Sequence, residues 1–129
     1  MKPETVLYLE KARQCLADAE RLQAIVPRVA GREAYLAAFH AAEAFIYERS
    51  GRSAKTPSGL RARFALFAKE EPRIESELSE FVGRAYELKS LADYGMAREA
   101  TISSDIALAA FATAARFVDR ITALLEEAK

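Results

Sequence analysis

Ala34-Tyr35-Leu36-Ala37-Ala38-Phe39-His40-Ala41-Ala42-Glu43 is the stretch that decides the architecture of this chain. Its large apolar side chains fall at Tyr35 and Phe39 and continue through Ala42, Phe45 and Ile46. That three-and-four spacing returns them to one face of a helix. The alanines between them favour the helical backbone and let a neighbouring axis come close. A helix from about Arg32 to Arg49 follows, closed by Ser50-Gly51, because glycine takes the left-handed conformation at a helix end cheaply.

The same period runs outward in both directions. Upstream, Val6, Leu9, Ala12, Leu16, Ala19, Leu22 and Val26 predict a helix from Pro3 to about Ile25, with Pro27 marking its far end. Downstream, Arg52-Ser53-Ala54-Lys55-Thr56-Pro57-Ser58-Gly59 is a punctuated loop. A short helix carrying Leu60, Phe64 and Phe67 comes after it. Pro72 is read as opening a fourth helix with Ile74, Leu78, Phe81, Ala85 and Leu88, running to Asp93 and closed by Gly95 and a polar segment. Ser103 or Ser104 caps a last helix striped by Ala107, Ala110, Phe111, Ala114, Phe117, Ile121 and Leu124. No alternating run argues for a strand. The expected fold is all-α: an antiparallel up-and-down bundle of four long helices plus one short helix, in a single domain spanning residues 1–129.

Composition narrows the function classes. At 129 residues, 51% hydrophobic and 29% charged, the chain has ordinary globular balance and length for one core. Nineteen basic and nineteen acidic residues cancel, so any pull toward nucleic acid has to come from a local patch. There is no signal-peptide core and no apolar run of membrane-span length, so a cytoplasmic protein that avoids membranes is expected. The single cysteine, Cys15, shares an apolar stripe with Leu16 and Ala19 and reads as a small buried hydrophobe. No cofactor motif or Gly-rich phosphate loop is present. The isolated Gly83 is read as a point of close helix packing.

The chemistry-bearing residues are few. His40 is the only histidine, with Glu43 three residues later. Bundle metal sites draw Glu-x-x-His pairs from separate helices, so a structural hydrogen bond is the better reading of His40, and no metal is expected. Tyr86-Glu87-Leu88-Lys89-Ser90-Leu91-Ala92-Asp93-Tyr94-Gly95 is richer. Lys89 and Asp93 stand four apart on one helical face, followed at once by an aromatic and a glycine. On spacing alone, a solvated ion pair explains Lys89 and Asp93, and a hydrogen-bonded core hydroxyl explains Tyr94.

Three stretches in order resemble the HEPN family of small prokaryotic helical bundles. Tyr35 to Ala44 resembles the family's Tyr-Tyr-Ala-x-Phe-His-Ala-Ala helix. Lys55-Thr56-Pro57-Ser58-Gly59-Leu60 resembles its Lys-Thr-His-Ser-Gly-Leu turn, and Tyr86 to Gly95 resembles its Glu-Leu-Arg-x-x-Ala-Asp-Tyr helix end. Tyr8-Leu9-Glu10-Lys11-Ala12 fits as well, so the resemblance covers essentially the whole chain. It implies a homodimer enclosing a cleft between subunits, and pairing with a nucleotidyltransferase in a toxin–antitoxin-type system. Members that are active toxins are metal-independent ribonucleases with an Arg followed, four to six residues on, by a His. Here Lys89 stands at the Arg position, Asp93 and Tyr94 stand where the His would fall, and Pro57 replaces the turn histidine. Lysine holds a phosphate as a point charge without arginine's two-pronged contact. The resemblance therefore implies a binding module for nucleotide or RNA rather than a catalyst. Its cleft would be lined by Lys89, Asp93 and Tyr94, with Lys55, Ser58 and Arg84 as lesser candidates. An active ribonuclease and a purely structural helical dimer are the alternatives.

Overall fold

A computed structural model of the chain describes residues 1–94 and 102–127. Five helices account for most of them: α1 Pro3–Leu22, α2 Pro27–Ser50, α3 Pro57–Lys69, α4 Ser76–Tyr94 and α5 Ser104–Glu127. Cross-helix contacts fix the directions. Lys2 and Thr5 meet Glu48, Arg32 meets Asp93, and Glu75 and Glu77 meet Arg120 and Arg116. Each pair joins an early residue to a late one, so α1–α2, α2–α4 and α4–α5 run antiparallel. This is the up-and-down bundle expected, with α3 as the short fifth helix.

α2 is the axis of the assembly and packs against every other helix. Its alanines explain why. Ala34, Ala37, Ala38, Ala41, Ala42 and Ala44 are all fully buried, leaving no side-chain bulk to hold neighbours away. The core gathers apolar residues from all five helices, including Leu9, Phe45, Leu60, Phe81 and Phe117. A smaller cluster of Ala30, Ala92, Ile102 and Ala107 closes the end of the bundle where α4 finishes. The alanines of α5 divide instead: Ala107, Ala110 and Ala114 are buried, while Ala109 and Ala112 face solvent.

Two helix boundaries differ from the sequence reading, and proline explains both. Pro27 does not mark an end; it occupies the first turn of α2, where its missing N–H would have had no partner. Pro72 lies outside α4. Glu71 accepts from the Ile74 N–H through its backbone carbonyl (3.1 Å), and its carboxylate accepts from the Arg73 N–H (3.3 Å), which makes residues 71–74 a turn with proline second. α4 starts only at Ser76. Gly51 closes α2 with φ +73°, as its position predicts. Ser103 is the residue that caps α5, its Oγ accepting from the Ile106 N–H at 3.2 Å. The expected close of α4 at Gly95 lies outside the described residues.

At the start of α3, Thr56 Oγ1 accepts from the Gly59 N–H at 3.0 Å. The cap supplies an acceptor to one of the orphan donors of a helix only 13 residues long. Replacing Thr56 with Ala is expected to lower stability by about 1 kcal/mol, read as a shifted urea midpoint.

Gly83 overturns its sequence reading. Nothing lies within 4 Å of the place a Cβ would take, so no neighbouring helix requires a glycine there. Among the described residues no helix is long and apolar enough to cross a membrane.

A cationic and aromatic seam between α2 and α4

The paired faces of α2 and α4 bring the charged cluster together. Lys89 Nζ lies 2.7 Å from Asp93 Oδ2, and Arg32 Nε reaches across from α2 to within 3.3 Å of Oδ1. The carboxylate is therefore held by two cations from two helices. Its side chain is 21% exposed. The local helical spacing that suggested Lys89 and Asp93 as a pair is correct. The third member, Arg32, could not be found by spacing, because it is 61 residues away in sequence from its partner.

Protonation states follow from this geometry. The bond from Lys89 holds the Asp93 carboxyl below its usual range, with the charges of Lys89, Arg32 and Arg28 adding to it against partial burial. The reciprocal bond to Asp93 raises the Lys89 ammonium. Both groups are charged at neutral pH. Three cations, Arg28, Arg32 and Lys89, are felt at one carboxylate, so a positive patch exists on a chain whose total charge is zero.

Beside it, Tyr94 projects with 75% exposure, its ring centre 5.6 Å from Lys89 Nζ. Tyr94 is therefore not a core residue with a buried hydroxyl. Together with Tyr86, Ser90 and Leu91 it lines a shallow hollow of about 490 Å³ on the outer face of α4. An exposed aromatic next to a cation is the pairing on which nucleobases stack while their phosphates are held.

Aromatic contacts extend the seam inward. Tyr86 meets Tyr35 edge-on at 5.7 Å, Tyr35 meets Phe39 at 5.8 Å, and Phe39 meets the His40 ring at 5.6 Å. Burial pushes the Tyr35 hydroxyl up to about 12. His40 Nδ1 and Glu43 Oε1 are 2.7 Å apart, the structural hydrogen bond expected of this histidine. No group of three or more metal-ligating side chains occurs among the described residues. Cys15 is half-buried, and burial with a nearby Glu33 pushes its thiol up to about 12, which leaves it protonated and unreactive.

The remaining sequence candidates lie elsewhere. Arg84 donates to the Glu77 carbonyl on its own helix at 3.3 Å. Ser58 Oγ is 3.3 Å from Thr56 Oγ1 and belongs to the cap of α3, and Lys55 is exposed just before it. Among the described residues none of the three makes a hydrogen bond or ion pair to Lys89, Asp93 or Tyr94. Arg61 was missed altogether. Its guanidinium lies 4.0 Å above the Tyr86 ring, a contact from α3 onto α4 that no local spacing announces.

An all-helical bundle centred on an alanine-rich helix, with a cationic and aromatic seam at the end of α4, defines the class of protein. The HEPN domain model matches residues 5–125, and the chain belongs to the HEPN domain family. The membership places it among domains associated in general with nucleotides and RNA. Comparison with curated proteins gave no match.

Proposed function

We propose that this HEPN domain is a binding module that takes up RNA or nucleotide at the seam formed by Lys89, Arg32, Asp93 and Tyr94. In this reading it does so as a homodimer whose subunit cleft the seam lines, paired with a nucleotidyltransferase in a toxin–antitoxin-type system. The observation that carries the reading is the placement of three cations around Asp93 beside an exposed Tyr94. Cations of this kind hold phosphates by charge, and the aromatic offers a base a stacking face.

The protonation states favour holding over catalysis. General acid–base work near neutrality needs a group that titrates there. Asp93 is shifted down and Lys89 up, away from that range. A lysine with no histidine four to six residues after it fits the same reading.

The test is a fluorescence titration with single-stranded RNA at several salt concentrations. Wild type is expected to bind in a salt-dependent way, and Lys89→Ala to weaken binding about tenfold and lower the salt slope by about 1. Equal affinity and equal slope in the variant would remove the seam as the binding surface. A monomer at micromolar concentration would remove the subunit cleft.

A further inference from the structure

Positive charge at the seam is gathered at a point. Lys89 Nζ and Arg32 Nε converge on the two oxygens of Asp93, at 2.7 and 3.3 Å. Arg28 stands one turn before Arg32 on α2, and its charge is felt at the same carboxylate. Among the described residues no second carboxylate makes an ion pair with any of the three. Three cations against one carboxylate leave two positive charges uncompensated in one place. Both cations touching Asp93 can be reached from solvent, Arg32 being 45% exposed and Lys89 24%.

The surface beyond does not extend that charge. Among the described residues, the hollow beside Tyr94 carries a single charged group, the acid Glu87. A polynucleotide strand is held by a positive groove that follows its backbone. A second phosphate placed over this hollow would meet a carboxylate instead. The exposed Tyr94 ring, 5.6 Å from Lys89 Nζ, gives one base a stacking face next to one phosphate.

Building on the reading of the seam as a binding surface, we propose that its ligand is a phosphate monoester on a single nucleoside. The ester is that of a free nucleotide or of an RNA end, and its phosphate displaces Asp93 from Arg32 and Lys89. Near neutral pH a monoester carries about −1.5 to −2 charges and three acceptor oxygens. An internal phosphodiester carries one negative charge, no more than the carboxylate it would have to replace. Attraction to two uncompensated positive charges favours the dianion, and its extra oxygen gives each cation an acceptor of its own. Asp93 is then an internal competitor, and removing its charge strengthens the site.

The experiment is titration calorimetry of the wild-type protein with AMP, with 3′,5′-cyclic AMP and with one short single-stranded RNA, with and without a 5′-phosphate. AMP should bind about tenfold more tightly than the cyclic diester, which carries the same base. The phosphorylated RNA should likewise outbind its dephosphorylated twin. A phosphorylated strand tighter than AMP assigns the RNA end as the source, and AMP as tight or tighter assigns the free nucleotide. Asp93→Asn should tighten AMP binding about threefold, a gain that a damaged fold would not produce. Equal affinities within both pairs, all weakened by Lys89→Ala, would overturn the monoester proposal and leave the seam as a binding surface. Weaker AMP binding by Asp93→Asn would make Asp93 a holder of the cations and overturn its displacement. No binding of any of the four probes would remove the seam itself.

Discussion

Replacing Phe64 with Ala is expected to destabilise the fold by about 3–5 kcal/mol, the largest effect of any single change considered for this protein. Phe64 is 1% exposed and stands between Phe45 of α2 and Phe117 of α5, at ring separations of 5.8 and 5.4 Å. Truncation removes the transfer energy of the ring and leaves a cavity that helices already in contact through alanines cannot close. It also takes from α3 the larger of its two buried side chains, Leu60 and Phe64. Thirteen residues do not hold a helix in water alone, so α3 depends on that packing. Urea unfolding should show a lower midpoint. A loss under about 1 kcal/mol would mean that α3 is not held to the core in this way.

Glu71 carries the second large effect. Its side chain is only 8% exposed and accepts from Arg73 Nε at 2.7 Å, from the Arg73 backbone N–H at 3.3 Å and from Arg49 at 3.2 Å. Arg73 in turn pairs with Glu127 at the end of α5. One carboxylate thus ties the α3–α4 turn to the ends of α2 and α5. The Arg73 hydrogen bond, joined by that residue's charge and by Arg49, holds the carboxyl at about 2, against an ordinary value of 4.5. A depressed carboxyl contributes stability that is complete above the unfolded-state value and disappears as the pH falls through the folded-state value. That share should therefore be lost between about pH 4.5 and about pH 2. Glu71→Gln should cost about 2 kcal/mol at pH 7, the scale of hydrogen bonds to charged groups, and its melting curve should approach wild type near pH 2. Some acid sensitivity will remain, because Glu4, Glu48 and Asp93 are shifted in the same direction. A constant gap between the two proteins across that range would contradict the assignment.

How much of this was written in the sequence depends on whether the signal was local. The stripes of α2 and α5 are local, and Phe45, Ile46, Phe117 and Ile121 fall in the core where their spacing puts them. Proline was ambiguous: its fixed φ and missing N–H suit a first helical turn and the second place of a turn equally. Pro27 took the first role and Pro72 the second, and only the partners of the adjacent N–H groups separate them. Gly83 was ambiguous for the same kind of reason, since a glycine within a helix stands equally at a close contact or in open space, and here it is the latter.

The candidate site was half legible. Lys89 and Asp93 share a face by helical period, so their pairing could be read directly. Arg32 and Arg61 look like ordinary surface arginines in the linear chain. Their meaning comes from α2 and α3 lying against α4, one giving Asp93 its second cation and the other stacking on Tyr86. Apolar period supplied the bundle and family resemblance gave Lys89 its place in a cleft, but contacts between helices supplied the seam.

The measurement that bears most directly on the central claim is RNA binding and cleavage by the purified protein in the presence of a chelator, with Lys89→Ala alongside. The account predicts salt-sensitive binding by wild type, weakened in the variant, and intact RNA in both. Cleavage by wild type that disappears in Lys89→Ala would contradict it, and would make this seam the active site of a ribonuclease.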